Sequence, residues 1–173
     1  MDEPIDEALS LPVILSENSP SIASAVIPAP DPSDYAVTEN GRITVQAAET
    51  LGHFAEWLEV PTNRLRRLNG MHFGTPVVIG RQTVLDFTVV PQSVFEHRRL
   101  DYHRTLQEEF FDVYEVVGTD THQLQRGDTL WYLAEQRYQV PVWLLRQYNP
   151  SLDFGALQAG AHLTVPRIAP RQG

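Results

Sequence analysis

The 173-residue chain contains no cysteine. Disulfides and cysteine-ligated zinc are therefore excluded, and the protein fits a cytosolic or a periplasmic setting equally. Long apolar runs are missing too: no stretch approaches the roughly 18 consecutive apolar residues of a membrane-spanning helix. The first twenty residues, MDEPIDEALSLPVILSENSP, have neither the basic start nor the continuous apolar centre of a signal peptide. Positive charge is absent from residues 1–39, which hold eight of the 22 acids and no Lys or Arg, so the remainder carries 14 acids against 13 bases. The net charge of −9 thus resides almost wholly at one end. A nearly neutral body lacks the basic patch expected of a protein with a nucleic-acid partner. It suits an uncharged ligand such as a sugar.

The patterns of common catalytic centres are also lacking. There is no H-E-x-x-H, no G-x-S-x-G and no phosphate-cradling glycine loop. His97 and His103 are six residues apart and do not share a helix face, while Glu108 and Glu109 are adjacent and point apart. The chain reads as a binding region rather than an enzyme, with no catalytic residue, no metal site and no cofactor expected.

What is present is organised in blocks. Residues 1–34 are rich in Pro, Ser, Ala and acids and show no sustained apolar period, which predicts a flexible tail with LPVIL (residues 11–15) as its one piece able to dock. Asn40-Gly41 lies between Tyr35–Glu39 and Arg42–Gln46 and predicts a hairpin turn. Leu51, Phe54, Ala55 and Leu58 then recur at helical spacing. Val60-Pro61 breaks that helix, and Pro61 suits the start of a second one carrying Leu65 and Leu68 and ending at Asn69-Gly70. RQTVLDFTVV, at residues 81–90, reads as a strand. The order is β-α-α-β.

A second block follows the same order. Tyr35, Thr50-Leu51 and Ala55 meet Tyr114, Thr129-Leu130 and Ala134 at a shift of 79 residues. After one extra residue in the second block, Val60-Pro61, Leu65-Arg66, Asn69 and Gly80 meet Val140-Pro141, Leu145-Arg146, Asn149 and Gly160 at a shift of 80. This is the signature of an internal duplication. Between the blocks, residues 88–113 read as a connecting helix. Ser93 and Glu96 fit a capping box, and Phe95, Tyr102, Leu106 and Phe110 share one face. Trp57 has no aligned tryptophan and reads as core, whereas Trp131 lies beside the Leu130/Ala134 stripe, either as an exposed sugar platform or packed on the connecting helix.

In RGDTLWYLAEQRYQVPVWLLRQYNP (Arg126–Pro150) and LQAGAHLTVP (Leu157–Pro166), the second block resembles a LysM domain, with turn, two helices, Asn-Pro stop and glycine-led strand in order. The first block is similar to a divergent copy. With their leading strands the blocks span 35–87 and 114–168, or 108 of the 173 residues, followed by a short tail at 169–173. Tandem modules behind a linker resemble the C-terminal region of bacterial lytic murein transglycosylases. The fold class implied is α+β: two small β-α-α-β LysM-like repeats joined by an α-helix and preceded by a disordered tail.

The resemblance implies binding of N-acetylglucosamine glycans, chiefly peptidoglycan, in the periplasm or cell envelope, with an attached catalytic domain as a partner. The ligand groove it implies lies between a first loop of Gly127, Asp128, Thr129 and Leu130 and a second loop of Pro150, Ser151, Leu152, Asp153 and Phe154, with Leu157 at its base. The residue chemistry agrees. Gly127 lets backbone approach a ligand closely, and Leu130, Leu152 and Phe154 offer apolar contact to sugar faces and acetyl methyls. Asp128 and Thr129 equally suit helix capping, and Asn149 suits helix termination. In the first block Ala48, Glu49 and Gly52 replace Gly127, Asp128 and Trp131. If that turn needs positive φ, Ala48 is strained or the turn differs. The alternative reading is a scaffold whose LysM folds have lost sugar binding and which captures a protein through Phe95, Tyr102 and Leu106.

Overall fold

A computed structural model describes residues 31–172. The expected flexible tail, with LPVIL in it, lies outside the described residues except at its end, where Pro32–Tyr35 forms a single 3₁₀ turn capped by Asp31. Two β-α-α-β units follow. The first consists of β1 (Arg42–Thr44), α1 (Leu51–Leu58), α2 (Thr62–Leu68) and β2 (Gln82–Val84). The helix α3 (Gln92–Val113) leads into the second unit of β3 (Tyr114–Gln123), α4 (Tyr132–Tyr138), α5 (Val142–Tyr148) and β4 (His162–Pro170). Each unit closes its own two-stranded antiparallel sheet, with Ile43 opposite Thr83 in one and His122 opposite Leu163 in the other. Strand β4 runs two residues past the expected end of the second block. Among the described residues, no helix is long and apolar enough to cross a membrane.

The periodicity of the sequence is realised in the cores. Ile43, Leu51, Phe54, Leu58 and Leu65 pack the first core, and Leu130, Leu133, Ala134, Leu145 and Leu163 pack the second. Both units end their second helix with the same device. Asn69 Nδ2 donates to the Leu65 and Val84 carbonyls while its Oδ1 accepts from the Val84 amide. Asn149 makes the same three bonds with Leu145 and Thr164. An asparagine side chain carries both a donor and an acceptor, so it ties the helix end to the returning strand from one position.

The extra residue of the second block has a definite structural location. In the first unit the amide of the left-handed residue Glu59 bonds to Ala55, four residues back. In the second, the left-handed Gln139 bonds to Ala134, five residues back. The insertion is absorbed as a π-type widening of α4, the usual way a helix accommodates one added residue without changing its ends.

Two expectations are overturned locally. Asn40-Gly41 does not close a hairpin of two strands: β1 pairs with β2 instead, and Thr38–Arg42 forms an isolated tight turn. The Gly41 amide bonds to the Thr38 carbonyl at 2.9 Å, and only Gly41 of the dipeptide has positive φ. The loop is thus a three-residue turn ending in a left-handed glycine, rather than the two-residue turn that favours Asn-Gly. Ser93 and Glu96 form no capping box, since α3 starts at Gln92 after Pro91 with no side-chain cap. Glu96 instead accepts the Val37 amide at 2.8 Å, a contact 59 residues away in sequence.

Helix α3 packs on both units. Its first half inserts Phe95, fully buried, among Phe54, Trp57 and Phe87. Burial of one such ring contributes about 1.5–3 kcal/mol. Its second half sets Leu106, Phe110 and Phe111 against Trp143 and Leu144 of α5, a cluster that also includes Ala47 and Ile79 of the first unit. The helix face proposed for capturing a partner is therefore spent inside the molecule.

Candidate functional site

The loop between β3 and α4 is built by its own residues. Gly127 has φ of 95° and meets nothing within 4 Å where a Cβ would project, so the tip of the turn faces open space. Asp128 turns back rather than capping α4: its Oδ2 accepts the Gln125 amide at 2.8 Å and lies 2.8 Å from His122 Nε2. The Gln125 amide and then His122 hold the Asp128 carboxyl below its ordinary value. Thr129 does cap, with Oγ1 accepting the Tyr132 amide at 3.2 Å. Leu130 is buried in the second core. The side chains of Asp128, Thr129 and Leu130 are thus occupied with structure, while Gly127 leaves its backbone exposed.

The second loop is fixed from behind. The Leu152 amide bonds to Asn149, and its carbonyl accepts from Arg146 Nη1 at 2.8 Å. Asp153 Oδ1 accepts the Gly155 amide at 2.8 Å, and the Phe154 ring lies under the Arg146 guanidinium at 5.7 Å. Pro150, Ser151 and Asp153 are exposed, whereas Leu152, Phe154 and Leu157 are half-buried against the same cluster that contains Leu130. The structure therefore brings Gly127–Leu130 and Pro150–Leu157 to one apolar cluster. It also packs the far end of the second loop on the first unit. Gly80, with φ of 80°, approaches so closely that a Cβ there would sit 2.7 Å from the Gly155 amide nitrogen.

The corresponding loop of the first unit keeps a left-handed turn with Ala48 and Thr50 exposed, but α3 packs against it. Ala48 adopts φ of 65°, keeping the turn at the expense of a left-handed alanine. Glu49 is buried, accepts the Gln46 amide at 2.7 Å, pairs with Arg99 Nη2 at 2.9 Å and lies 2.8 Å from His103 Nε2. Burial pushes the Glu49 carboxyl up, but the bonds to His103 and Arg99, with the Arg99 charge, outweigh it and leave the group below its ordinary value. Tyr102 covers the turn by donating its hydroxyl to the Ala48 carbonyl at 2.8 Å.

Among the aromatics, Trp57 is core and Trp143 packs edge-on against Phe110 and Phe111. Trp131 does not pack on α3: it is 63% exposed, next to the half-exposed Tyr132 and one residue from Leu130. Arg146 was not foreseen as a site residue, and its only sequence sign was the match with Arg66. It organises the second loop and also reaches Asp34 at 3.1 Å.

Comparison with known proteins agrees with this geometry in part. No curated protein matches the chain. Among solved structures, the spore cortex-lytic enzyme SleL of Bacillus cereus is similar at 17% identity over 73% of this chain and 22% of that one, with a TM-score of 0.26. The chain thus spans less than a quarter of that enzyme, and the superposition is too loose to carry an argument. The family model of the LysM domain matches residues 122–166. That stretch runs from His122, beside Asp128, to Pro166 in β4, and contains both loops and both helices of the second unit. The second unit is therefore similar to the LysM domain in its sequence and in the order of its elements.

Proposed function

We propose that the chain is a non-catalytic region that tethers a protein or attached wall-lytic enzyme to peptidoglycan, with the second unit holding N-acetylglucosamine residues between Gly127–Leu130 and Pro150–Leu157. The carrying observation is that the stretch matching the LysM domain contains both loops, and that the two loops meet over one apolar cluster with the Gly127 turn open. Exposed backbone at that turn supplies partners for an acetamide, and Leu152, Phe154 and Leu157 supply apolar contact. Each net hydrogen bond adds only about 1 kcal/mol, so a single groove binds weakly. The first unit is a divergent copy whose equivalent turn is tied to α3 through Glu49 and Tyr102, and it acts as support. The setting this implies is the cell envelope, and the periplasm in a cell with two membranes.

The scaffold reading keeps Ala48 and Gly52 as its support but loses the helix face, because Phe95 is fully buried and Tyr102 and Leu106 pack internally. Co-sedimentation with insoluble peptidoglycan tests the proposal. Wild type and Ala48→Trp are expected in the pellet, and Gly127→Trp in the supernatant with its circular dichroism retained. Failure of wild type to sediment would end the glycan reading.

A further inference from the structure

The second loop of the groove, Pro150–Leu157, contains no helix or strand, yet the first unit holds it at three points. Asp34, in the 3₁₀ turn, pairs with Arg146 Nη2 at 3.1 Å. The same guanidinium donates from Nη1 to the Leu152 carbonyl and lies over the Phe154 ring. Ile79 packs into the cluster that holds Leu152, Phe154 and Leu157. Gly80 sets its backbone on Gly155, so closely that a Cβ on Gly80 would meet the Gly155 nitrogen at 2.7 Å and its Cα at 2.9 Å. Gly80 has little room to yield. Its amide donates to the Val45 carbonyl at 2.8 Å, and the next carbonyl, of Arg81, accepts from the Val45 amide at 2.9 Å.

The first unit supplies a comparison. Its own second loop, between Asn69 and Gly80, carries the same pairing of arginine with phenylalanine, Arg66 over the Phe73 ring at 5.4 Å. Phe73 is nevertheless 92% exposed, and a Cβ on the adjacent Gly74 would meet nothing within 4 Å. An arginine over the ring therefore does not by itself seat such a loop. Phe154 is half-buried where Ile79 of the other unit joins its cluster.

We propose that Asp34, Ile79 and Gly80 are positioning residues for the glycan groove, acting through the loop rather than on the sugar. They hold Pro150–Leu157 in its binding conformation before a ligand arrives. This rests on the glycan reading and gives the divergent unit a specific role within it. A loop already ordered in the free protein avoids the ordering cost that binding would otherwise incur. Loss of the brace therefore weakens binding while both cores stay folded.

Two glycines with the same backbone and different neighbours make the test. Gly80 has φ of 80° and Gly74 of 79°, and of the two only Gly80 has an atom within 4 Å of where a Cβ would sit. Gly80→Ala and Gly74→Ala therefore carry the same left-handed strain, but only the first drives a methyl into the second loop. In isothermal titration of the full chain with the N-acetylglucosamine tetramer, Gly80→Ala is expected to bind about tenfold more weakly than wild type. Gly74→Ala is expected to bind as wild type does. Hydrogen exchange at the Leu152, Gly155 and Ala156 amides, all bonded within or beside the loop, should quicken in Gly80→Ala and not in Gly74→Ala. Asp34→Ala makes the same test without backbone strain. It breaks a partly exposed ion pair and should weaken binding about threefold, with Asp34→Glu restoring it. Equal tetramer binding by the two glycine variants, with wild type binding, would overturn the brace and leave the groove standing. Weaker binding by Gly80→Ala without faster exchange would place Gly80 against the sugar and overturn its positioning role. No binding by wild type would end the glycan reading and the brace with it.

Discussion

The loops Gln46–Thr50 and Gln125–Thr129 are the same turn put to opposite uses. In each, an acid accepts the amide three residues back, at 2.7 Å for Glu49 and 2.8 Å for Asp128. In each, a threonine caps the following helix, at 3.1 Å for Thr50 and 3.2 Å for Thr129. The difference is one methylene and a neighbour. Glu49 reaches outward far enough for Arg99 and His103 of α3 to close over it, whereas Asp128 meets only His122 of its own unit. The turn with the longer acid has become an anchor for a helix, and the turn with the shorter one stays open. Whether a helix docks on such a turn can thus be set by the length of one acidic side chain.

Removing the anchor tests that comparison with the largest effect on stability. Arg99 is fully buried, and its charge is balanced by Glu49. Glu49→Ala leaves that guanidinium uncompensated, which typically costs 3–5 kcal/mol, about the loss expected in denaturant unfolding. Asp128→Ala should cost clearly less, because His122 is not left as an obligate buried cation. Equal losses for the two would show that the turns are not used differently.

Acid should distinguish the same two residues more gently. Both carboxyls are held below their ordinary values of 4.5 and 3.8. A depressed folded-state value means that the stabilisation is fully present above the unfolded value and is lost as pH falls through the folded one. Stability should therefore decline below pH 4.5, in two contributions. Glu49→Gln removes the one that begins higher, so its stability should fall less steeply with acid than that of wild type. An unchanged slope would contradict the role given to Glu49.

Much of this was legible in the chain itself because it is local. Asn69 and Asn149, the Pro61 and Pro141 starts, the left-handed Gly70 and the stripe of Leu51, Phe54 and Leu58 are all written within a few residues of where they act. The one-residue offset between the blocks was legible as an insertion, but not as a widened helix, since periodicity alone does not say how a turn absorbs an extra residue. What the sequence hid is the long-range pairing. Glu96 with Val37, Arg99 with Glu49 and Arg146 with Asp34 join positions 59, 50 and 112 residues apart. Glu96 in particular fitted a local rule that a distant amide overrode. The open turn was anticipated at Gly127, whereas the contact of Gly80 with Gly155 depends on how the units pack and has no local signature.

The smallest effect concerns the backbone that both turns share. A left-handed conformation costs a residue with a Cβ roughly 1–2 kcal/mol, and Ala48 adopts it at φ of 65° where Gly127 occupies the other turn. The alanine is tolerated because the Glu49 anchor and the Tyr102 bond to its carbonyl over-determine the loop. Ala48→Gly removes the steric term but gives the unfolded chain more freedom, which offsets part of the gain. A net stabilisation of about 0.5–1 kcal/mol is expected in denaturant unfolding, with no change in peptidoglycan sedimentation. If the same change instead strengthened sedimentation, the first turn would be a second glycan contact held back only by its strained alanine, and the division between anchor and open loop would fail.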